Sequence, residues 1–232
     1  MRLDRFLIRR GTHSCREVAG LLADGMVRVD GRIETSGKCG VSRFSHIELR
    51  GKILQAGQAI YLMLHKPAGY LSATSDPQHP TVMELIDHPL RDDLHLAGRL
   101  DRASTGLLLL TNDGRWSKAI TGPEKDVPKV YRVTTRDVIA PETVAHFENG
   151  IYFAWEDLTT QPAQLEILGE RVALLTLHEG RYHQVKRMFH AVGNRVLSLH
   201  RERIGPLLLD EGLPEGKFRE LTPDEVASFA TR

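Results

Sequence analysis

Cysteine is scarce, with only Cys15 and Cys39 in 232 residues. Two cysteines exclude a disulfide framework, and their spacing excludes a CxxC zinc site. No apolar run approaches the ~20 residues needed to cross a bilayer, so no membrane partner is expected. The opening stretch MRLDRFLIRRG contains an acid and no long apolar segment, and it does not read as a secretory signal. The expected compartment is the cytoplasm. A phosphate-cradling glycine loop is missing, as is any cluster with metal-ligand spacing. No metal and no small-molecule cofactor is therefore expected. Internal repeats and low-complexity tracts are absent as well. The remainder is ordinary globular material, 41% hydrophobic and 26% charged, long enough for two unequal domains with real cores.

Net charge is also small, at +1, which taken whole argues against a polyanionic partner. Its distribution reverses that reading. Residues 1–57 hold eleven Lys/Arg against six Asp/Glu, a local charge of +5, and the rest of the chain carries −4. A small basic head precedes a mildly acidic body, and clustered arginines displace counterions from a phosphate backbone.

In the head, Leu3, Phe6 and Leu7 follow helical spacing, and Ser14 with Glu17 forms a capping-box pattern for a second helix. Asp30-Gly31 between alternating segments predicts a hairpin, and HIELRGKIL reads as one further strand. The polar stretch Gln55–Gln58 reads as a linker. In the body, strands are expected in IYLMLHKP, LHLAGRLD, GLLLLTNDG, KVYRVTT, AQLEIL, VALLTLHEG and RVLSLHRERIG. Short helices are expected in TVMELID, PETVAHFENG, YHQVKRMFHAVG and after Thr222. Strands outnumber helices and do not alternate with long ones, so the fold class is α+β with an antiparallel or mixed sheet. Residues 136–170 carry no readable motif.

Three segments carry chemistry. In GRLDRASTGLLLLTNDG, residues 98–114, an Asp followed by small residues would by itself be an ordinary turn. In KVYRV, Tyr131 would be an ordinary strand aromatic. In EGRYHQVKRMFHAVGNRVLSLHRERIG, residues 179–205, helical spacing would gather His183, Lys186, Arg187 and His190 opposite an apolar stripe. Taken together, from about residue 61 to residue 210, these strings resemble the pseudouridine synthase family, whose GRLD motif is its most diagnostic feature. The head, with Arg16 one residue later than the usual Ser-Arg, resembles an S4 RNA-binding domain. TSDPQHPTV (74–82), GRWSKAIT (114–121) and HRERIG point to the small-subunit branch of that family.

The resemblance implies an S4-like domain over residues 1–57 and a catalytic domain over 58–232. It implies isomerisation of a uridine to pseudouridine in 16S rRNA, at uridine-516, on free RNA or a small-subunit assembly intermediate. Asp101 matches the family's essential aspartate, Tyr131 the tyrosine packing on the target base, and Lys186 the cation pairing with the aspartate. Leu199 matches an apolar residue of the base pocket, and Arg99 the arginine of the RLD core. RNA contacts are expected from Arg2, Arg5, Arg9, Arg16, Arg28, Arg32, His183 and Arg187. The reaction detaches uracil at N1 and reattaches it at C5, so it consumes no electron or group donor. The target must first leave its stack. A carboxylate with little water around it stays ionised only beside a cation, which is the expected role of Lys186. The competing readings are a 23S rRNA synthase, a non-catalytic S4-type RNA-binding or assembly protein, and a small-molecule enzyme that leaves the basic head unexplained. The default oligomeric state is a monomer.

Overall fold

The computed structural model describes residues 1–10 and 13–229. The chain divides into two compact units, Met1–Ala59 and Ile60–Arg232.

The first unit begins with α1 (Leu3–Arg9), which buries Leu3, Phe6 and Leu7. In α2 (Cys15–Ala23), the Ser14 and Glu17 side chains close a reciprocal capping box. This satisfies two amides that would otherwise be orphaned at the helix start. An antiparallel sheet follows, with strands β1 (Val27–Val29), β2 (Arg32–Ile33), β3 (His46–Leu49) and β4 (Lys52–Ala56) in the order β2-β1-β3-β4. Asp30 and Gly31 both have positive φ, +51° and +79°, as the tight turn between twisted strands requires. HIELRGKIL is a hairpin rather than one strand, because Arg50 and Gly51 repeat that left-handed pair. The supposed linker begins inside β4: the Gln55 amide donates to the carbonyls of Ser42 and Ser45. Leu3, Phe6, Leu7, Val18, Leu21, Leu22, Val27, Val41 and Ile47 form the unit's core.

The second unit is built on one sheet. Its strands are β5 (Tyr61–Lys66), β6 (His95–Leu96), β7 (Thr105–Thr111) and β8 (Lys129–Thr135), then β11 (Gln164–Gly169) and β12 (Val172–Leu177), and finally β13 (Val196–Ile204), β14 (Leu207–Leu208) and β15 (Phe218–Glu220). A separate two-stranded hairpin, β9 (Tyr152–Phe153) and β10 (Leu158–Thr159), rises from the segment without a motif. The helices are α3 (Gly114–Thr121), α4 (Glu142–Glu148), α5 (Gln184–Ala191) and α6 (Pro223–Ala227). TVMELID forms a 3₁₀ turn over Val82–Leu85.

The main order is β11-β12-β8-β13-β7-β5-β15, with β6 and β14 pairing off that path. Among the described strands every pairing is antiparallel except β13 with β7, where His200 faces Thr105 and Arg201 faces Gly106. The sheet is thus two antiparallel halves joined along one parallel seam. Leu107, Leu108, Leu109 and Leu110 are all fully buried, because the halves of this run pack alternately into two cores on opposite faces. This is why the segment reads as an unbroken apolar run rather than an alternation.

The seam demands glycine at 106. Its φ is +108°, and a Cβ there would lie 2.3 Å from the Arg201 carbonyl oxygen and 2.6 Å from the Arg201 nitrogen. Both atoms are backbone in a buried strand, so neither can yield cheaply. Gly106→Ala is expected to destabilise the protein by about 3 kcal/mol or more, read from urea midpoints. A near-wild-type midpoint would mean the seam can slide.

At the chain's end, Arg219 donates Nε to Asp210 Oδ2 at 2.7 Å and grips both Glu225 oxygens at 2.8 Å. Glu225 also closes the capping box of α6 with Thr222. The bidentate arginine holds the Glu225 carboxyl down at about 2. The folded value lies below the ordinary 4.5, so this contribution is complete above pH 4.5 and vanishes as pH falls through about 2. In Arg219→Ala, stability should fall by about 2 kcal/mol near pH 6, and the difference from wild type should shrink below pH 3. A gap unchanged between pH 6 and pH 2.5 would contradict the pairing.

Candidate active site

Asp101 sits on the tight segment between β6 and β7, where two buried cations hold the backbone. Lys66 ends β5, is fully buried, and points its ammonium at carbonyls rather than at a carboxylate. It donates to Pro67 O at 2.9 Å, Arg102 O at 3.3 Å and Ser104 O at 2.8 Å. Burial pushes its pKa down to about 8, and the nearby Asp101 charge pulls the other way. From the other side, Arg201 of β13 donates to Leu107 O at 2.8 Å and Arg99 O at 3.1 Å. Ser72 adds a reciprocal pair, accepting from Leu100 N and donating to Leu100 O. Gly69 and Arg102 exchange two further bonds. The main chain on both sides of Asp101 is therefore fixed, which places the base of its side chain before any substrate arrives.

The cation for Asp101 comes from α5. Lys186 Nζ lies 3.0 Å from Asp101 Oδ2, and His183 Nε2 lies 3.5 Å from the same oxygen. The three side chains are 25–38% exposed, so the cluster opens to solvent and is not sealed. His183 does not share the helical face with Lys186. It stands just before the helix with φ +50°, and its ring stacks on Tyr182 at 3.9 Å. The turn is set by Gln184, which accepts from Arg181 N and donates to Glu179 Oε1.

Beside the ion cluster lies an apolar floor. Alternation along β13 and β8 puts Leu199, Arg201, Tyr131 and Val133 on one face of the sheet, in direct register. Tyr131 and Leu199, each 8% exposed, pack in one cluster with Leu100, the residue next to Asp101, and with Val185 of α5. The Arg201 guanidinium stands 6.0 Å from the centre of the Tyr131 ring, and its Nη2 is buried without a partner. Ser104 Oγ is likewise buried and unpartnered.

Asp101, Lys186 and His183 are thus brought together at the edge of the floor that holds Tyr131 and Leu199. Arg99 is exposed in the same loop. Arg187 is engaged by the protein itself, paired with Glu156 and lying 3.7 Å over the Phe153 ring. Arg2, Arg5, Arg9, Arg16, Arg28 and Arg32 are all exposed on the first unit, where Arg2 pairs with Asp4 and Arg28 donates to Gly31 O. Sequence reading missed Lys66, Ser72 and Arg201. Only Lys66 left a trace, as a charge ending an otherwise apolar strand. Among the described residues, no group of three or more His, Cys, Asp or Glu is placed to hold a metal ion. None of the described helices is long and apolar enough to cross a membrane.

Comparison with known proteins points the same way. Residues 60–191 match the model of the RNA pseudouridylate synthase family. The chain is 54% identical to ribosomal small subunit pseudouridine synthase A of Pseudomonas aeruginosa, covering 98% of this chain and 100% of that protein. It is 44% identical to the Escherichia coli protein of the same name, covering 98% and 99%. A crystal structure described as pseudouridylate synthase superposes with a TM-score of 0.72 at 40% identity, over 99% of both chains. A braced aspartate paired to a lysine beside an apolar tyrosine floor, within a match that runs the length of the chain, makes this protein a member of the RNA pseudouridylate synthase family.

Proposed function

We propose that this protein isomerises one uridine of 16S ribosomal RNA, uridine-516, to pseudouridine. The observation that carries the reading is the Lys186–Asp101 ion pair at the edge of the Tyr131–Leu199 floor. The relatives' names, which specify the small ribosomal subunit, support the choice of RNA. The target uridine leaves its stack, and the exposed cation of Arg99 fills the gap. Uracil lies against Tyr131, with Leu199 closing the apolar side. Asp101, paired with Lys186 at 3.0 Å, either attacks the ribose carbon or takes a ribose proton. The N1–C1′ bond breaks, a C5–C1′ bond forms, the proton at C5 passes to solvent, and the freed N1 takes up a proton from solvent. Atoms and electrons balance within the nucleotide, so no cofactor takes part.

In the same reading, residues 1–57 form an S4-like RNA-binding domain whose exposed Arg2, Arg5, Arg9, Arg16, Arg28 and Arg32 grip phosphates. Residues 58–232 form the catalytic domain. His183 and Arg187 flank the entry of the strand. The enzyme acts as a monomer in the cytoplasm, on rRNA or an assembling small subunit. Tritium release from RNA labelled at uridine C5 tests the activity. Carbodiimide primer extension on 16S and 23S rRNA maps the product. Modification confined to 23S would overturn the choice of RNA, and binding without tritium release would overturn catalysis.

A further inference from the structure

The β9–β10 hairpin carries Trp155 at its tip, 97% exposed, with Tyr152 beside it 59% exposed. Single exposed apolar residues are commonplace, and exposure alone carries nothing. The position of this one is unusual. Phe153, two residues before Trp155, is buried beneath the Arg187 guanidinium at 3.7 Å. Glu156, immediately after it, pairs with Arg187 and approaches Arg181 at 3.8 Å. Arg187 also donates to the Tyr182 carbonyl at 3.4 Å. The tip is therefore latched on both sides of Trp155 to the segment 181–187, which holds His183 and Lys186 against Asp101. A hairpin latched this way presents its indole from a backbone that is already in place.

We infer that Trp155 is a stacking platform for an unpaired nucleobase of the substrate RNA, next in the strand to the target uridine. The inference rests on the function proposed above, since it takes the strand entering the Asp101 site as the occupant. Continuity with the Asp101 site argues for that occupant, because the tip is fastened to the segment that carries Lys186 and His183. Glu156, the acid adjoining Trp155, is neutralised by two arginines, and Asp157 accepts a hydrogen bond from Tyr152. Lys186, Arg181 and Arg187 are matched by Asp101, Glu179 and Glu156, so the acids around the tip are paired rather than free to repel phosphates. An indole face stacks on any base, so the platform contributes affinity and strand path rather than sequence readout.

The chain's other tryptophan, Trp116, is 6% exposed, so acrylamide quenching of the full-length protein reports on Trp155. Saturating 16S-derived RNA containing the target should shield Trp155 from acrylamide. In Trp155→Ala, KM for that RNA should rise about tenfold, or about 1.4 kcal/mol of binding at 25 °C, with Trp155→Phe recovering most of the loss. An RNA with abasic sites on both sides of the target should be turned over equally by wild type and Trp155→Ala. Unshielded Trp155 in the RNA complex, or an unchanged KM in Trp155→Ala while wild type releases tritium, would overturn the platform and leave the catalytic assignment standing. Absence of tritium release from wild type itself would instead overturn the function on which the platform rests.

Discussion

Asp101→Asn is expected to reduce pseudouridine formation on the order of 10⁴-fold or more, the scale seen when a reacting side chain is removed. RNA binding should persist. The substitution keeps the shape of the side chain and leaves its supports untouched. Lys66, Arg201 and Ser72 bond to backbone groups around Asp101 and not to its carboxylate. The amide is neutral, so it can neither attack carbon nor accept a ribose proton with comparable strength. Tritium release and filter binding on the same preparation separate the two effects. Turnover within about tenfold of wild type would remove Asp101 from the chemistry, because a bystander carboxylate in a turn has no comparable effect.

Lys186→Ala is expected to lower turnover about 10²–10³-fold, the range for losing one fixed electrostatic partner. His183 remains 3.5 Å from Asp101 Oδ2 and keeps the loss below that of Asp101→Asn. Lys186→Arg should recover much of the activity, since the site is partly open and has room for a larger cation. Thermal melting should move little in either variant, because a partly exposed ion pair contributes modestly to stability. Wild-type turnover in Lys186→Ala would break the pairing. A large fall in melting temperature would instead make Lys186 a structural residue.

Much of the fold was readable because local signals agreed with the final packing. The Ser14–Glu17 cap, the Asp30-Gly31 turn and the Thr222 cap each satisfy their own backbone within a few residues. Such signals survive without tertiary context. HIELRGKIL failed as a single strand because Arg50 occupies a left-handed position more often filled by Asn or Gly. The β9–β10 hairpin left no trace, since two-residue strands offer no period to detect.

The proposed site residues Asp101, Lys186, Tyr131 and Leu199 were named by resemblance, and the structure places Asp101 against Lys186 beside the cluster that holds Tyr131 and Leu199. What holds them was not legible in the sequence. Lys66 and Arg201 lie 135 positions apart in the sequence, and both donate to the carbonyls around the Asp101 turn. No spacing rule connects them, because carbonyl partners have no residue identity to read. The sequence by itself determined the α+β class, the basic head and the identity of the charged pair. Tertiary structure alone decided that β13 meets β7 in parallel, that position 106 has no room for a Cβ beside the Arg201 backbone, and that two buried cations brace the main chain around the aspartate. The physical reason is that these are backbone contacts across the sheet. Their geometry arises only when distant strands pair, whereas side-chain type and local period are present before folding begins.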